Sequence, residues 1–452
     1  MKTKGMGISA WGLTMMALGT VIGGSFFLGS SIAIRSAGPS VLLSYIIGGG
    51  LVYLILYSLS EMTTADSTPG SFRTFSQRAF GPGMGFVVGW VYWTGLVLAM
   101  SSEAIAVSVF LRVWFPWLSL PLLGSGIIII ITLANLLGAD RLSKLESSLA
   151  VIKLLAIVGF IVTALALITG LIPGRPAIGL GGLMDEVLMP AGIRGIAGSM
   201  LMVMFTYAGF EIIGLAASET DEPSATVPRA IAYTVISLIA LYVISISLTL
   251  PLVSTQTLTQ EVSPLVVALT AHGIEWVASI INIVLVTAIL STMLAATFGL
   301  GRMIRSLADE GHAPFWIKDR GGIPYKGILF SGLAMLAGLS LGFLLPRQVY
   351  LFLVSSGGFS LLFTYLVIVA THYKFRREHG CPPEGKCQLT GYPYTSWLAI
   401  GALLAIIISM PLIPGQGTGL VAGLILVGFY YLCYLVSIYA KRRAKRYGYS
   451  RR

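Results

Sequence analysis

Long apolar runs recur along nearly the whole chain, and they limit its fold more than any other feature. A helix that crosses a bilayer needs about 20 predominantly apolar residues, and these runs reach that length. Charged residues make up only 10% of the sequence, whereas a soluble globular domain carries roughly 25%. We therefore expect an all-α integral membrane protein with twelve transmembrane helices. The predicted spans lie near 8–35, 39–64, 84–111, 118–138, 145–172, 193–217, 228–253, 273–303, 327–345, 348–371, 394–413 and 417–440.

The net charge of +11 is distributed in a way that indicates membrane topology. With the N-terminus inside, most Lys and Arg residues fall in the inner connections and in the basic tail 441–452. The positive-inside rule then predicts a multi-pass protein of the cell (plasma) membrane with both termini in the cytoplasm. The tail lies where anionic lipid headgroups would attract it, so the charge does not call for a nucleic-acid partner.

No change in composition divides the chain, so we predict a single membrane transport domain over 1–452. Within it, a first repeat is expected at 1–172 and a second repeat, inserted upside down, at 193–371. Two peripheral helices at 394–440 and the basic tail 441–452 would complete the domain.

Small residues interrupt two spans at matching places in these repeats. The first span contains TVIGGSFF (20–27), and the sixth contains FTYAGF (205–210). Paired broken helices in inverted repeats are the best sequence indication of a transporter's binding site. A helix N-terminus suits a carboxylate, and unwound carbonyls suit an ammonium group. A zwitterion is therefore the ligand that fits both ends of a break.

Ionisable side chains within the spans are costly and so indicate function. Lys153 lies about 12 Å into the fifth span at 1.5 Å per residue, which favours a role inside the bundle over snorkelling to the headgroups. Glu211 directly follows the second break and is either a proton carrier or a salt-bridged structural residue. The same alternatives hold for Glu103, which could also face a cationic substrate, and here an indirect or structural role is favoured.

Metal sites and nucleotide-driven chemistry are not indicated. His372, His379, Cys381 and Cys387 share one inner connection, but their spacing fits no standard zinc arrangement, and a solvated loop is expected. Three cysteines make no disulfide framework. The sequence contains no GxxxxGK[ST] motif, so no ATP-driven pump is expected within the chain. We expect no cofactor, no metal ion and no enzymatic activity.

Four segments carry a resemblance to a known group of proteins. They are GTVIGGSFFLGSSIAIRSAGPSVLLSYIIGG (19–49), SEMTTADSTPGSFRTFSQRAFGPGMGFVVGWVYW (60–93), MVMFTYAGFEIIGLAASETDEP (202–223) and GRMIRSLADEGHAPFW (301–316). In these segments the chain resembles the amino acid-polyamine-organocation superfamily, and within it the bacterial amino acid permeases. The resemblance implies the leucine-transporter fold, a 5+5 inverted repeat in which helices 1 and 6 are broken.

The resemblance also implies a substrate site. The substrate carboxylate would meet backbone N–H groups at Gly23, Gly24 and Ser25. Its ammonium group would meet carbonyls near Thr20 and Val21 and those of Phe205 and Thr206, with Phe205 as an aromatic gate. Independently of the resemblance, the substrate side chain would be read by Phe205, Tyr207 and Phe210 and by residues of the third span near Ser101 and Ser102, although ordinary packing is an equal alternative for Tyr207 and Phe210.

Two further residues gain a role from the resemblance. Lys153 would replace a sodium ion between Gly19 and Ser291, and Glu211 matches an acidic residue that some relatives use in proton sensing. One departure is Ser25, because the family usually reads G-[ST]-G across the first break and this chain reads Gly23-Gly24-Ser25. We expect selectivity to begin at this residue.

These observations predict a secondary active transporter that carries neutral L-amino acids into the cell with protons by alternating access. An exchanger of amino acids or polyamines, or a cationic amino acid permease, is the alternative on the same fold. A nutrient receptor that binds without transporting is the alternative from another class. The expected partners are a small-molecule amino acid, protons and the lipid bilayer.

Overall fold

The computed structural model describes residues 8–66, 68, 71–137, 139–217, 220, 222–259, 262–319, 323–344, 349–381 and 387–446. The regular structure of this described part is entirely helical. Its α-helices are α1 (Ala10–Val21), α2 (Gly24–Phe27), α3 (Gly29–Ala37), α4 (Val41–Ala65), α5 (Ser71–Phe80), α6 (Pro82–Leu111), α7 (Leu120–Asn135), α8 (Ala139–Thr169), α9 (Gly192–Tyr207), α10 (Ile212–Ala216), α11 (Pro223–Thr249), α12 (Pro264–Ala271), α13 (Glu275–Asp309), α14 (Tyr325–Leu344), α15 (Val349–His379), α16 (Tyr394–Ser409) and α17 (Gln416–Arg446).

The helices match the apolar runs of the sequence. Among the described residues, nine helical runs are long and apolar enough to cross a membrane, and three shorter apolar helices accompany them. The connection between α11 and α13 holds the short helix α12. The basic tail predicted at 441–452 falls largely outside the described residues, since α17 is described only as far as Arg446.

Both predicted breaks are present in the backbone. Helix α1 ends at Val21 and α2 begins at Gly24, so Ile22 and Gly23 are extended between them. Helix α9 ends at Tyr207 and α10 begins at Ile212. Residues 208–211 connect those two helices and leave their terminal backbone groups available to side chains or ligands.

The helices pack in two groups with the breaks between them. The first helix group consists of α1, α4, α9 and α11, and the second helix group consists of α6, α7, α13 and α14. Helices α8 and α15 each contact members of both groups. The first break touches the second group, because α2 packs on α6 and α13.

An ion pair fixes the short helix α5 to the end of α13. The Arg73 side chain is fully buried, and its Nη1 donates to Glu310 Oε2 at 2.9 Å while Nη2 donates to Ser306 Oγ at 3.1 Å. The Arg73 guanidinium holds the pKa of the Glu310 carboxyl below its usual value. This pair therefore ties the connection between α4 and α6 to the second helix group.

The connection after α15 differs from the solvated loop that the sequence predicts. Helix α15 extends to His379, and the imidazole of His372 is fully buried within the protein. Cys381 and Cys387 form a single disulfide, which the sequence analysis does not predict. Residues 382–386 between them lie outside the described residues.

Candidate functional site

The first break exposes two backbone donors at the start of α2. Phe26 and Phe27 donate their N–H groups to Gly23 O, and Leu28 donates to Gly24 O. The N–H groups of Gly24 and Ser25 precede these bonds and have no acceptor within the helix turn. They form the positive end of a helical run that continues through α3. The pair therefore offers two donors of the kind that bind a carboxylate, and the binding of a substrate carboxylate here stays a prediction.

The side chain of Glu103 on α6 is bound to this pair. Its Oε2 accepts the N–H of Gly24 at 2.8 Å, and its Oε1 accepts the N–H of Ser25 at 3.0 Å. Glu103 is 3% exposed. The carboxylate of Glu103 therefore contacts the break itself through backbone donors, which agrees with the structural or indirect role that the sequence favours and leaves its part in proton coupling a prediction.

The close approach of Glu103 depends on the glycine at 24. A Cβ added there would lie 2.3 Å from Glu103 Oε2 and 2.9 Å from Ile289 Cδ1, too near for either atom to stay in place. At Gly23 an added Cβ would lie 3.2 Å from the side chain of Thr292. The two glycines therefore let α6 and α13 come close to the backbone of the break.

A buried cation lies at the other end of the break. Lys153 on α8 is 1% exposed, and its ammonium donates to Gly19 O at 2.5 Å and to Thr292 Oγ1 at 2.9 Å. The carbonyl end of a helix carries partial negative charge, which favours a cation there. The predicted contact of Lys153 with Gly19 is confirmed, and the lysine lies inside the bundle.

The partner of Lys153 on α13 is Thr292, so the prediction of Ser291 in this place is wrong. Thr292 Oγ1 also lies 3.1 Å from Ile22 O, which joins α13 to the end of α1. Successive residues of a helix point about 100° apart, so only one of the two hydroxyls can face α1. The Ser291 hydroxyl is buried without a hydrogen-bond partner among the described residues.

The second break holds the carboxylate of Glu211. Its Oε1 accepts from the Tyr92 hydroxyl at 3.0 Å, and its Oε2 accepts from the Tyr365 hydroxyl at 3.2 Å. The N–H of Gly209 donates to Oε2 at 3.1 Å. Each of these donors is a neutral group. Sequence analysis misses both tyrosines, since tyrosine is common in spans and the two lie more than 100 residues from Glu211.

The two breaks meet at Thr20 and Gly209. Gly209 has a φ of +105°, a conformation that favours glycine, and an added Cβ would lie 3.2 Å from Thr20 O. Thr20 is 8% exposed, and its hydroxyl donates to Met16 O within α1. Val21 is the last residue of α1 and is 1% exposed. The unwound segments thus lie side by side between the two helix groups.

The predicted carbonyl ligands on α9 already have partners. Thr206 O accepts the Tyr242 hydroxyl at 3.0 Å, and Phe205 O accepts the N–H of Ala208 at 3.2 Å. Tyr242 in turn stacks on Phe26 at 4.1 Å between ring centroids. A carbonyl has two lone pairs, so each oxygen retains capacity for one further donor. Tyr242 is a residue that the sequence pattern does not indicate.

The aromatic residues of the second break differ in their surroundings. Phe205 is 5% exposed, and its ring approaches Gly358 on α15, where an added Cβ would lie 3.8 Å from it. Tyr207 donates its hydroxyl to Tyr45 O at 3.0 Å and packs on α4. Phe210 packs on Tyr365 at 4.8 Å between centroids. Tyr207 and Phe210 therefore make the contacts of ordinary helix packing, whereas Phe205 faces α15 and its role as an aromatic gate stays a prediction.

Ser101 does not belong to the site, and its predicted role in reading the substrate is wrong. Its hydroxyl donates to Met335 O on α14 at 3.0 Å. Residues two apart on a helix point about 200° apart, so Ser101 and Glu103 face opposite sides of α6. The hydroxyl of Ser102 donates to Ala99 O within the same helix.

The assembled site is a break with a cation at its carbonyl end and an anion at its N–H end. Buried charges of this kind are costly and persist where opposite charges and helix ends compensate them. Glu103 occupies the N–H groups that are predicted for the substrate carboxylate, whereas Lys153 occupies Gly19 O and Thr292 Oγ1, next to the carbonyls predicted for the substrate ammonium group. No group of three or more His, Cys, Asp or Glu residues in the described part could hold a metal ion.

The fold and this site define the chain as a multi-pass membrane protein of the transporter class. A manganese transporter of Eremococcus coleocola has a similar fold, with a TM-score of 0.57 at 13% identity over 96% of this chain and 95% of that chain. The family model described as amino acid permease matches residues 12–448. The chain belongs to this family, within the amino acid-polyamine-organocation superfamily, whose members are permeases and not enzymes.

Similar proteins extend over nearly the whole chain. The gamma-aminobutyric acid permease of Bacillus subtilis is 31% identical over 427 residues, which cover 92% of this chain and 91% of that protein. The aromatic amino acid transport protein AroP of Escherichia coli K12 is 30% identical over 411 residues, which cover 89% of each chain. The resemblance inferred from the four sequence segments is thereby confirmed.

Proposed function

We propose that this protein carries neutral amino acids into the cell together with protons, by alternating access. The observation that carries the proposal is the bond from Glu103 to the N–H groups of Gly24 and Ser25. A substrate carboxylate needs these donors, and the carboxylate of Glu103 competes for them. Substrate binding therefore requires that Glu103 give them up.

Protonation of Glu103 would release the N–H groups of Gly24 and Ser25. A protonated carboxyl has no charge to be held by a helix N-terminus and is a weaker acceptor than a carboxylate. When Glu103 is protonated, the substrate carboxylate takes its place on Gly24 and Ser25, and one proton enters with each substrate. When the substrate leaves to the cytoplasm, Glu103 loses its proton and returns to the N–H groups.

Lys153 supplies the fixed charge of the site. Its ammonium holds Gly19 O and Thr292 Oγ1, which are the kind of oxygens that would otherwise coordinate a sodium ion. We propose that transport is consequently independent of sodium. Glu211, bound by three neutral donors, would act as a second proton-sensing or gating group at the other break.

The expected substrate is neutral overall. Its carboxylate would restore the negative charge that the N–H groups of Gly24 and Ser25 lose when Glu103 is protonated, and its ammonium group balances its own carboxylate. The similar proteins support this class, since gamma-aminobutyric acid and aromatic amino acids each carry one carboxylate, one ammonium group and an uncharged remainder.

The full architecture of the proposal has twelve transmembrane helices in a 5+5 inverted repeat, with helices 16 and 17 of the numbering above at the periphery. Helix α17 supports the peripheral assignment, because only 6% of its most apolar stretch is buried in the protein. Both termini would be cytoplasmic in the cell membrane, in accord with the distribution of Lys and Arg.

The test combines ligand screening with uptake. A thermal-shift screen of the purified protein against the twenty amino acids and gamma-aminobutyrate identifies the ligand, because a ligand of the folded state raises its apparent stability. Proteoliposomes with an imposed pH gradient should then accumulate that ligand in the absence of sodium. Counterflow without any proton dependence would indicate an exchanger, and binding without uptake would indicate a receptor.

A further inference from the structure

A second buried carboxylate, outside the substrate site, lies near the end of α4. Glu61 is fully buried, and its Oε1 accepts the N–H groups of Gln388 at 2.6 Å and Leu389 at 2.7 Å. Its Oε2 lies 2.6 Å from Nε2 of His372, and Arg376 Nη1 approaches Oε1 at 3.3 Å. We name these five residues the Glu61 latch. It joins α4, α15 and the segment that leads to α16.

The cysteine pair adjoins this latch directly. Cys387 immediately precedes Gln388, so the disulfide to Cys381 fixes where the latch segment begins. Arg376 contacts both features, because Nη2 lies 3.7 Å from Cys381 Sγ and Nη1 donates to Leu389 O at 2.8 Å. Opening or closing the disulfide therefore changes the constraint on residues that hold Glu61.

The location makes this disulfide unusual. In the proposed orientation, the end of α15 faces the cytoplasm, where thiol-based reductants keep most cysteines reduced. An adjacent guanidinium stabilises the thiolate form of a cysteine, and the thiolate is the form that takes part in disulfide exchange. Cys381 meets this condition through Arg376. The pair is thus placed to respond to the cellular thiol–disulfide balance.

We propose that Cys381 and Cys387 form a reversible redox site. Its state controls how tightly the Glu61 latch holds α4 to α15, and thereby the rate of transport. A cytoplasmic dithiol supplies the two electrons for reduction. One of its thiolates attacks the disulfide to give a mixed disulfide, and its second thiolate displaces the cysteine. Both cysteines end as thiols and the donor ends as a disulfide. A disulfide oxidant reverses the exchange.

The effect on transport follows from which helices the latch joins. Helix α4 belongs to the first helix group, and α15 also contacts α6 of the second group. Access to the breaks from the latch side requires the end of α4 to move relative to α15. Oxidation should hold the latch closed and slow this step, and reduction should free it. This inference goes beyond the proposed proton coupling and neutral substrate, and it rests on the proposed function for the orientation and for the exchange of amino acids.

The experiment uses the full-length protein with Cys433→Ser, which removes the free cysteine and leaves the pair. Counterflow of a radiolabelled mixture of the twenty amino acids is measured after reduction with dithiothreitol and after oxidation with diamide. Alkylation followed by mass spectrometry reports the state of the pair. We expect oxidised protein to exchange about tenfold more slowly, the effect of about one charge-assisted hydrogen bond on a barrier.

Two variants separate regulation from mere structure. Cys381→Ser combined with Cys387→Ser should remove the response to diamide. Glu61→Gln should leave the pair able to cycle but make the two rates converge, because the amide cannot accept all the bonds of the carboxylate. Equal rates in the oxidised and reduced forms, a pair that diamide cannot close, or labelling of the pair from outside intact cells would overturn the proposal. Counterflow needs no proton gradient, so failure of proton coupling would be seen separately.

Discussion

The two breaks in the helices are similar in backbone geometry and differ in chemistry. The first break has a lysine at its carbonyl end and a glutamate on its N–H groups. The second break has a glutamate held by two tyrosine hydroxyls and one backbone N–H. A carboxylate on the N–H groups of a helix N-terminus can be exchanged for another carboxylate, whereas the tyrosine hydroxyls of α6 and α15 hold Glu211 in one position. We infer that exchange takes place at the first break and that the second break mainly supports it.

Substitution of Gly24 should have the largest effect, since it disturbs the exchange site directly. In Gly24→Ala the new Cβ would lie 2.3 Å from the position of Glu103 Oε2, and it would leave no room there for any carboxylate. We expect uptake to be lost in proteoliposomes. Gly50→Ala is the matched control, because a Cβ there meets nothing within 4 Å and should leave uptake unchanged. Normal uptake by Gly24→Ala would show that the first break does not bind the carboxylate.

Removal of Lys153 should have the second-largest effect on uptake. Lys153→Ala removes the cationic donor of Gly19 O and Thr292 Oγ1, and a hydrogen bond to a charged group contributes about 1.5–3 kcal/mol. We expect proton-driven accumulation to be lost and the melting temperature in detergent to fall. Lys318→Ala, at a side chain that is 44% exposed, serves as the control. Wild-type uptake that requires sodium would contradict the role given to Lys153.

Ser25 offers a smaller and more selective change. Ser25→Gly retains the N–H that Glu103 binds and removes only the side chain, which is largely buried beside it. We expect proton coupling to persist while the ranking of amino acids in competition assays changes, by up to about tenfold for individual substrates or about 1.4 kcal/mol. An unchanged ranking would remove Ser25 from the selectivity determinants.

Glu211 should show the smallest effect if the comparison of the breaks is right. In Glu211→Gln the carboxamide oxygen can still accept from one tyrosine, and the three hydrogen-bond donors Tyr92, Gly209 and Tyr365 are neutral, so none of them loses a counter-ion. We expect the uptake rate to change by about threefold, or less than 1 kcal/mol. A loss as large as that of Gly24→Ala would show that the second break also takes part in exchange.

Much of this site could be predicted because glycine breaks and buried charges destabilise a transmembrane helix. They therefore occur mainly at functional positions. Glycines in the middle of a span mark the first break, and a lysine deep in an apolar run marks Lys153. The choice between Ser291 and Thr292 could not be made in the same way. It depends on helix rotation, and an error of one residue turns a side chain by about 100°.

Other features lie beyond the sequence pattern for a different reason. Glu61 falls near the end of a span, where charged residues are ordinary, and its partners at 388 and 389 lie more than 300 residues away. Ser101 and Glu103 are close in sequence, yet only Glu103 faces the break, because α6 packs on α14 with the Ser101 side. Such assignments can be made only when it is known how the helices pack.

The central claim is that Glu103 and the substrate carboxylate compete for the same two N–H groups. The most direct test is the affinity for the ligand found by thermal shift, measured between pH 5 and 9 for the wild type and Glu103→Gln. In the wild type, Kd should rise by about tenfold per pH unit once Glu103 is ionised, because one proton binds with each substrate. In Glu103→Gln, Kd should be nearly independent of pH. A Glu103→Gln protein with the pH dependence of the wild type would contradict the account.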